Sequence, residues 1–294
     1  MERGNELVPA KYFRCPDGQE IEIRKCYKKC RMKERCMVLP VLKAVGKTRP
    51  WKGKPSVTQL IKDTRQTYLE IVNDYTIDPQ KSIASMIGTN SHSLMEGNCP
   101  NNYLSEVRLE DDITSGQFDA YDMTTKTLID FKFFGAYRIM RAIGKTLKWQ
   151  VNGVWTRGIN KGKTKWEQVP VDNGVRDVLE ISEQLSYYKV LMRKQGLKVK
   201  HILVQMLIRG GLDKTAKSYG LDRMSYPVKI NGISEHWIRI FMKAKYDRLM
   251  KALETKTLPH VCKKTWNGLK CKEYCSVNKF CPYYQELYGK EDKK

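Results

Sequence analysis

The chain has 294 residues, of which 41% are hydrophobic and 10% aromatic, so it can form a packed core and is not a disordered chain. Its 54 Lys and Arg residues outnumber 32 Asp and Glu residues, which gives a formal charge of +22. This excess favours a polyanionic partner, nucleic acid first, whereas no apolar run reaches the roughly 20 residues that cross a bilayer.

Eight of the nine cysteines fall into two terminal groups that both end in C-x3-C-x5-C. The groups are Cys15, Cys26, Cys30 and Cys36, and Cys262, Cys271, Cys275 and Cys281. The polar start Met1–Lys11 shows no export signal, so we expect reduced thiols and a cytoplasmic location, in a bacterium or a phage-infected cell. Four close thiolates suit Zn²⁺ or an iron–sulfur cluster, and the spacing leaves both open. Cys99 is expected to be a buried or free thiol.

The groups divide the chain into three predicted parts. Residues 1–50 form a cysteine module with a basic linker, 51–258 form the core, and 259–294 form a second cysteine module. The core opens with a predicted helix that begins near Ser56 and runs through TQLIKDTRQTYLEIV. A second helix is predicted over about Ser82 to Glu96, with Ile83, Met86, Ile87 and Leu94 as its apolar positions.

The pattern then changes to a period of two. YLSEVRLE, GQFDAYDM and KTLIDFKFF are typical of three successive strands, the last two joined by a tight turn. After the segment 137–170 come a helix, VRDVLEISEQLSYYKVLMRKQG, strands at HILVQMLIR and around YPVKI, and a helix from about Ser234 to Glu254. This order predicts a mixed α/β fold with a central mixed sheet flanked by helices.

Three charged residues lie within the predicted hairpin. Alternation places Asp130 and Lys132 on one face of a strand with apolar neighbours, and the turn folds Asp119 back beside them. Buried charges are costly unless they pair or bind a metal. Two carboxylates, with the Phe131 carbonyl as a further oxygen, suit Mg²⁺ or Mn²⁺. Asp122 is the alternative first carboxylate, and a structural ion pair is the alternative explanation.

Four motifs occur in a fixed order along this region. They are GTNSH (Gly88 to His92), GQFD (Gly116 to Asp119), IDFK (Ile129 to Lys132) and QLSYY (Gln184 to Tyr188). Together they resemble the PD-(D/E)XK nuclease superfamily, and within it the RecB-like branch, which includes CRISPR-associated and recombination exonucleases. The resemblance covers about residues 56–255.

The resemblance implies a restriction-endonuclease-like core and hydrolysis of DNA phosphodiester bonds. It further implies that His92 is a metal ligand, that Glu106 is an auxiliary acid, and that Gln184 and Tyr188 border the active site. RecB-like nucleases often carry a [4Fe–4S] cluster on one upstream and three C-terminal cysteines. The upstream cysteine is missing from SVTQLIKDTRQTY, so two zinc sites, two clusters or one shared cluster stay open.

The segment 137–170 is longer than the family's usual connection, and it is rich in cations and tryptophans. We interpret it as an arm that grips DNA, built of a helix and a hairpin; a solvated hairpin pinned by its tryptophans is the alternative. Its candidate DNA-binding residues are Arg138, Arg141, Lys145, Lys148, Trp149, Trp155, Arg157, Lys161, Lys163, Lys165 and Trp166.

The functional expectation is a Mg²⁺- or Mn²⁺-dependent exonuclease that acts on DNA ends or single strands. Helicases and recombinases are the expected protein partners, and no membrane is expected. A DNA-binding protein that has lost catalysis on the same fold, an RNA-directed nuclease and a partner-dependent subunit are the alternatives.

Overall fold

The computed structural model describes residues 10–47, 50–263 and 265–289. Most of the polar start, part of the predicted basic linker and the last five residues therefore lie outside the described residues. The chain forms two compact units from discontinuous segments. The first comprises 1–95, 108–117 and 234–294, and the second comprises 96–107 and 118–233. The three-part division by continuous segments stays a prediction.

The secondary structure alternates short strands with helices. The strands are β1 (Tyr12–Arg14), β2 (Glu20–Glu22), β3 (Thr76–Ile77), β4 (Tyr103–Ser105), β5 (Arg108–Glu110), β6 (Ser115–Gln117), β7 (Ala120–Asp122), β8 (Thr127–Phe134), β9 (Lys145–Val154), β10 (Thr164–Asp172), β11 (His201–Ile208) and β12 (Ser225–Lys229). The helices are α1 (Ile23–Lys28), α2 (Leu39–Val45), α3 (Val57–Ile61), α4 (Thr64–Val72), α5 (Pro79–Glu96), α6 (Ala136–Ala142), α7 (Leu179–Lys194), α8 (Lys214–Ser218), α9 (Glu235–Thr255) and α10 (Pro282–Tyr288).

The first unit contains a small sheet in the order β2-β1-β3, in which β1 is antiparallel to β2 and parallel to β3. Phe13, Ile23 and Leu42 pack together beneath it with Val45 and Cys26. The helices α3 and α4 pack against α9, and β5 pairs with β6 in a separate hairpin. Apolar burial at these contacts is the main stabilising contribution to such a unit.

The predicted first core helix is two helices. Ser56 is its N-cap, as expected, and forms a capping box with Gln59, an arrangement worth about 1 kcal/mol. The helix stops at Lys62, whose backbone is extended, and α4 starts after Asp63. The Asp63 carboxylate accepts hydrogen bonds from the Lys270 ammonium and the Lys263 peptide N–H, so tertiary contacts override the continuous helical pattern.

Helix α5 begins three residues earlier than predicted. The Asp78 carboxylate accepts from the Gln80 peptide N–H, and proline occupies the first helical position, which its fixed φ favours. Of the four predicted apolar positions, Ile83 and Met86 pack against the core cluster. The other two lie on the exposed side of the helix, because Ile87 is 41% and Leu94 is 68% exposed.

The second unit is built on a five-stranded sheet in the order β12-β11-β8-β7-β4. Strands β8 and β11 are parallel, whereas the other neighbours are antiparallel. Helix α7 packs on β8 and α6 packs near β11. The predicted mixed α/β fold, with a central mixed sheet and flanking helices, is therefore confirmed. None of the described helices combines the length and apolar character needed to cross a membrane.

Two predicted strands are broken. YLSEVRLE divides into β4 and β5, and GQFDAYDM divides into β6 and β7, with each half in a different sheet. Glu106 lies at the first break with φ +53°, an unusual backbone for a residue other than glycine. Its N–H donates to the Asp119 carbonyl at the second break. Both acidic residues therefore lie at strand ends, where their side chains are not tied to sheet alternation.

The segment 137–170 forms α6 and a long hairpin of β9 and β10, as expected. The strands pair from Lys145 opposite Asp172 to Val154 opposite Thr164, with an irregularity near Lys165. The tryptophans do not pin this hairpin to the unit, because Trp149, Trp155 and Trp166 are 63%, 42% and 57% exposed. The alternative of a hairpin fixed by its tryptophans is therefore wrong.

Candidate active site

The centre of the sheet in the second unit carries a buried ion pair. Asp130 and Lys132 lie on β8, and the Lys132 ammonium donates to Asp130 Oδ1 at 2.7 Å. Asp130 is 2% exposed. The neighbouring positions on β11, Val204 and Met206, are fully buried. Because burial of an uncompensated charge costs several kcal/mol, this face keeps two charged side chains only by pairing them.

Asp119 adjoins this pair. The β7–β8 ladder ends with Ala120 opposite Ile129, so its register brings Asp119 next, opposite Asp130. Asp119 Oδ2 accepts from the Phe131 peptide N–H at 2.7 Å. The peptide N–H of Phe131, which lies between Asp130 and Lys132 in the sequence, thus fixes the position of Asp119.

Glu106 lies beside Asp119. A carboxylate oxygen of each residue lies within 4.8 Å of the other, and both side chains are half-buried. Two like charges at this separation repel, and a shared cation relieves the repulsion. The sequence expected Glu106 on a continuous strand; the break in that strand is what turns it toward Asp119.

Asp122 does not belong to this group. Its carboxylate accepts from the amide of Asn102, the peptide N–H of Thr124 and the hydroxyl of Thr125. The Thr125 hydroxyl is the largest contribution that holds the pKa of Asp122 below its usual range. These bonds close the turn between β7 and β8, so Asp122 has a structural role, and Asp119 is the aspartate that adjoins the Asp130–Lys132 pair.

The electrostatics tie two helix residues to the cluster. Burial alone would lower the pKa of Lys132, but the charges of Asp130 and Asp119 and the bond to Asp130 outweigh it, so the pKa is raised. Burial also raises the pKa of Tyr188, which the charges of Asp130 and Lys132 influence as well. Gln184 donates to the Tyr188 hydroxyl at 3.4 Å, one turn away on α7. The structure therefore brings seven predicted site residues together in the second unit: Glu106, Asp119, Asp130, Phe131, Lys132, Gln184 and Tyr188.

His92 lies on α5, in the first unit, and its side chain is half-buried. Its imidazole has the chemistry of a metal ligand, as the resemblance implies. Cys99 lies in the second unit, where it is half-buried and burial raises its pKa.

The N-terminal cysteines gather around α1 in the first unit. Cys26 is on the helix, and the other three lie in the loops around it. Burial raises the pKa of Cys26, and the charges of Cys30, Cys15 and Cys36 raise it further. Interactions of this kind fall off with distance, so the other three thiols lie in the neighbourhood of Cys26.

The C-terminal cysteines line one small cavity in the first unit. All four border it, together with Arg65 and Leu69 of α4. The Arg65 guanidinium donates to Cys281 Sγ at 3.6 Å and to the Pro259 carbonyl. Burial raises the pKa of Cys262 and of Cys275 to about 11. Sequence reasoning missed Arg65, because no local pattern links it to cysteines some 200 positions away.

The predicted DNA-binding residues occupy three kinds of position. Arg138 and Arg141 are on α6 and pair with Asp177, so their charges are partly neutralised. Lys145 begins β9, and its ammonium donates to the Gly220 carbonyl. The remaining members are on the strands or the connecting loop of the hairpin: Lys148, Trp149, Trp155, Arg157, Lys161, Lys163, Lys165 and Trp166.

No family model matches the sequence. No curated protein matches it either. Among solved structures, a phage-related exonuclease from Haemophilus somnus 129PT is similar in fold, with a TM-score of 0.41 and 12% sequence identity. The similarity covers 70% of this chain and 98% of that chain. A similarity of this size supports no conclusion about activity, so the function proposed below rests on the residues of the chain itself.

Proposed function

We propose that the chain is a metal-dependent deoxyribonuclease that hydrolyses phosphodiester bonds. The observation that carries the proposal is the buried Asp130–Lys132 pair, with Asp119 bonded to the peptide between them. A purely structural pair needs no second carboxylate beside it. A site for a cation and an anionic substrate needs both carboxylates and a fixed positive charge.

The metal ligands in this proposal are Asp119, Asp130, the Phe131 carbonyl and His92. The Phe131 N–H points to Asp119, and in an extended strand the carbonyl of the same residue points to the same side. One histidine together with carboxylates is the ligand set that the resemblance implies for a divalent cation, with Glu106 as the auxiliary acid. Bound Mg²⁺ or Mn²⁺ would neutralise phosphate charge and acidify a water.

The remaining side chains act on the substrate. The raised pKa of Lys132 keeps its ammonium charged at neutral pH, where it orients the attacking water or stabilises the negative charge of the transition state. Tyr188, whose raised pKa keeps it a neutral phenol, donates a hydrogen bond at the edge of the cluster. Gln184 positions that phenol through its amide.

We propose structural metal sites at the two cysteine groups. Each group supplies four cysteines, which is the ligand number of a tetrahedral Zn²⁺ site or an iron–sulfur cluster. The [4Fe–4S] assignment at the C-terminal group rests on the resemblance alone. In either form the metal would link the loops that carry the cysteines.

The substrate in this proposal is DNA, with the cations of the hairpin as phosphate contacts and an exonucleolytic action on ends or single strands. A helicase or recombinase is the proposed kind of partner. The alternative function is a DNA-binding protein without catalysis. The hairpin is compatible with this alternative, because its exposed indoles and cations would bind DNA whether or not the chain cleaves it.

Degradation of linear plasmid with and without Mg²⁺ or Mn²⁺ tests the proposal. We expect the wild type to release nucleotides only with metal, and Asp130→Ala to bind the same DNA without degrading it. If wild type and Asp130→Ala leave the DNA equally intact while binding it, the chain is a binding protein instead. RNA of the same sequence, run in parallel, separates the RNA-directed alternative.

A further inference from the structure

A cleft lies in the second unit beside the edge strand β12. Its volume is about 370 Å³. Three cations line it, Lys145, Arg176 and Arg223, together with the side chains of Asp222 and Tyr226. These residues come from the start of β9, the segment before α7 and the segment before β12, so no local sequence pattern could have grouped them. Two of the three cations were not candidates on sequence grounds.

Two of the three cations, Lys145 and Arg176, are held by neutral backbone carbonyls and therefore keep their net positive charge. The Lys145 ammonium donates to the Gly220 carbonyl at 2.7 Å, and the Arg176 guanidinium donates to the Lys229 carbonyl at 3.1 Å. Carbonyl acceptors fix the side chains but carry no net charge. An ammonium has three donors and a guanidinium five, so donors remain for a ligand.

The single lining carboxylate is engaged within the cleft wall. The Tyr226 hydroxyl donates to Asp222 Oδ1 at 2.8 Å, and this bond is the largest contribution that lowers the pKa of Asp222. Arg223 pairs with Asp222 and stacks over the Tyr226 ring, 5.3 Å from its centroid. Three cations against one carboxylate leave the lining with net positive charge, which suits a phosphate.

The hairpin of β9 and β10 presents an exposed indole face. Its register sets Trp166 opposite Val151 and Gln168 opposite Trp149, and opposed residues of an antiparallel pair project to the same side. Both indoles are more than half exposed. They form a diagonal pair, whose Cβ atoms are about 7–8 Å apart in such a ladder. That spacing is roughly twice the ~3.4 Å step between stacked bases.

Lys145 belongs both to the cleft and to the strand that carries the indole face. Lys145, Leu147 and Trp149 alternate along β9, so all three project to the same side as Trp166. Four residues of strand span about 13 Å, so the cleft ammonium and the first indole lie within a few nucleotides of each other. A second copy of this chain is a poor occupant for this surface, because each copy carries a formal charge of +22.

We infer that the cleft and the indole face together bind an unpaired nucleic-acid strand, with a backbone phosphate in the cleft and bases on Trp149 and Trp166. The inference rests on the proposed function in so far as it names the substrate of that activity as single-stranded. Base pairs inside a duplex are stacked on both faces and have no face free for an indole, so this surface favours an unpaired strand over the duplex interior.

Binding in the absence of added Mg²⁺ and Mn²⁺ tests the inference without any cleavage. The probes are a fluorescent oligothymidine and a duplex of equal length, measured by anisotropy across a salt series. Trp149→Ala with Trp166→Ala should weaken oligothymidine binding by about a hundred-fold, since each stacked base is worth roughly a factor of ten. Duplex binding should stay unchanged. Trp149→Phe with Trp166→Phe keeps two aromatic planes and should retain most of the affinity.

The cleft is tested by Arg176→Ala with Arg223→Ala, which should reduce the salt slope for oligothymidine by about 1.4. Trp237→Ala and Lys251→Ala are the matched controls, since both residues are exposed on α9, and neither should change the preference for single strands. Equal losses on duplex and single strand, or unchanged binding in the indole variants, would overturn the inference. Loss of cleavage in Asp130→Ala is a separate result that stands either way.

Discussion

The β8 cluster and the β9–β10 hairpin place charge in opposite surroundings. Asp130 is almost fully buried, and its charge is paired with an ammonium 2.7 Å away. Most of the hairpin's cations are exposed, as are its three tryptophans, which are between 42% and 63% accessible, whereas Lys145 and Lys165 are half-buried. Buried charge persists only where the surroundings fix its geometry, whereas exposed charge is solvated and mobile.

Under the proposed function, this difference gives the two regions separate tasks. A fixed, desolvated charge acts strongly over short distances, as hydrolysis of a phosphodiester requires. Exposed cations contribute affinity in small, similar steps that salt weakens. Single substitutions in the β8 cluster should therefore abolish cleavage and spare binding, while substitutions in the hairpin should weaken binding and spare the chemistry.

The largest effect is expected at Asp119, and Asp122 is its matched control. Asp119→Asn removes a proposed ligand and should reduce the cleavage rate by at least about a thousand-fold. Asp122→Asn alters only the turn between β7 and β8, so it should lower stability and leave the rate within a few-fold. Single-turnover cleavage and thermal unfolding of both variants check this pair. Equal cleavage rates in Asp119→Asn and Asp122→Asn would contradict the assignment of Asp119, and not Asp122, as the metal ligand.

Lys132→Met should have the next largest effect. It removes the fixed positive charge and should slow cleavage about a hundred-fold or more. It also leaves Asp130 without its ammonium partner, which should cost roughly 2 kcal/mol, since the lysine side chain is 21% exposed. Lys132→Arg keeps the charge and should recover stability more than rate. Recovery of both together would mean that the lysine is only a structural partner.

The cysteine groups add a third case to the comparison of the β8 cluster and the hairpin. In the proposed metal sites, their thiols would become charged only when they bind a metal. Cys275→Ser should reduce the iron or zinc content of the purified protein and lower its melting temperature, whereas Cys99→Ser should change neither. Burial raises the pKa of Cys275 to about 11, so its thiol is protonated at neutral pH in the metal-free chain. Metal uptake must therefore release protons, and metal affinity should rise with pH. Unchanged metal content in Cys275→Ser would contradict the assignment.

The smallest effect is expected for single cations of the hairpin loop. Lys161→Ala or Lys163→Ala should weaken DNA binding only a few-fold and reduce the salt slope by about 0.7 to 0.9 each. The cleavage rate at saturating DNA should stay the same. A hundred-fold loss of that rate in either variant would place the loop in the catalytic machinery and break the division between the two regions.

The sequence predicted the regions where one local rule decides the structure. Alternation placed Asp130 and Lys132 on one face, and Ser56 and Ser234 were correctly expected at helix starts. Apolar periodicity predicted the order of strands and helices along the chain well enough to indicate a mixed α/β fold. In these places local preference and tertiary packing agree.

Prediction from sequence failed where distant contacts decide the conformation. Nothing local in YLSEVRLE indicates the break at Glu106, which depends on pairing with a different sheet and on a bond to the Asp119 carbonyl. The helix break before Asp63 depends on a lysine more than 200 positions later in the chain. The cleft of Lys145, Arg176 and Arg223 likewise exists only after three separate segments meet.

The most direct test of the central claim is the rate at which the purified chain releases nucleotides from linear DNA as Mg²⁺ or Mn²⁺ is titrated in. The account predicts no release without the cation, saturable release with it, and at least about a thousand-fold less release by Asp130→Asn at the same DNA occupancy. Equal release by wild type and Asp130→Asn, or no release by wild type at any concentration of either cation while the DNA stays bound, would contradict it.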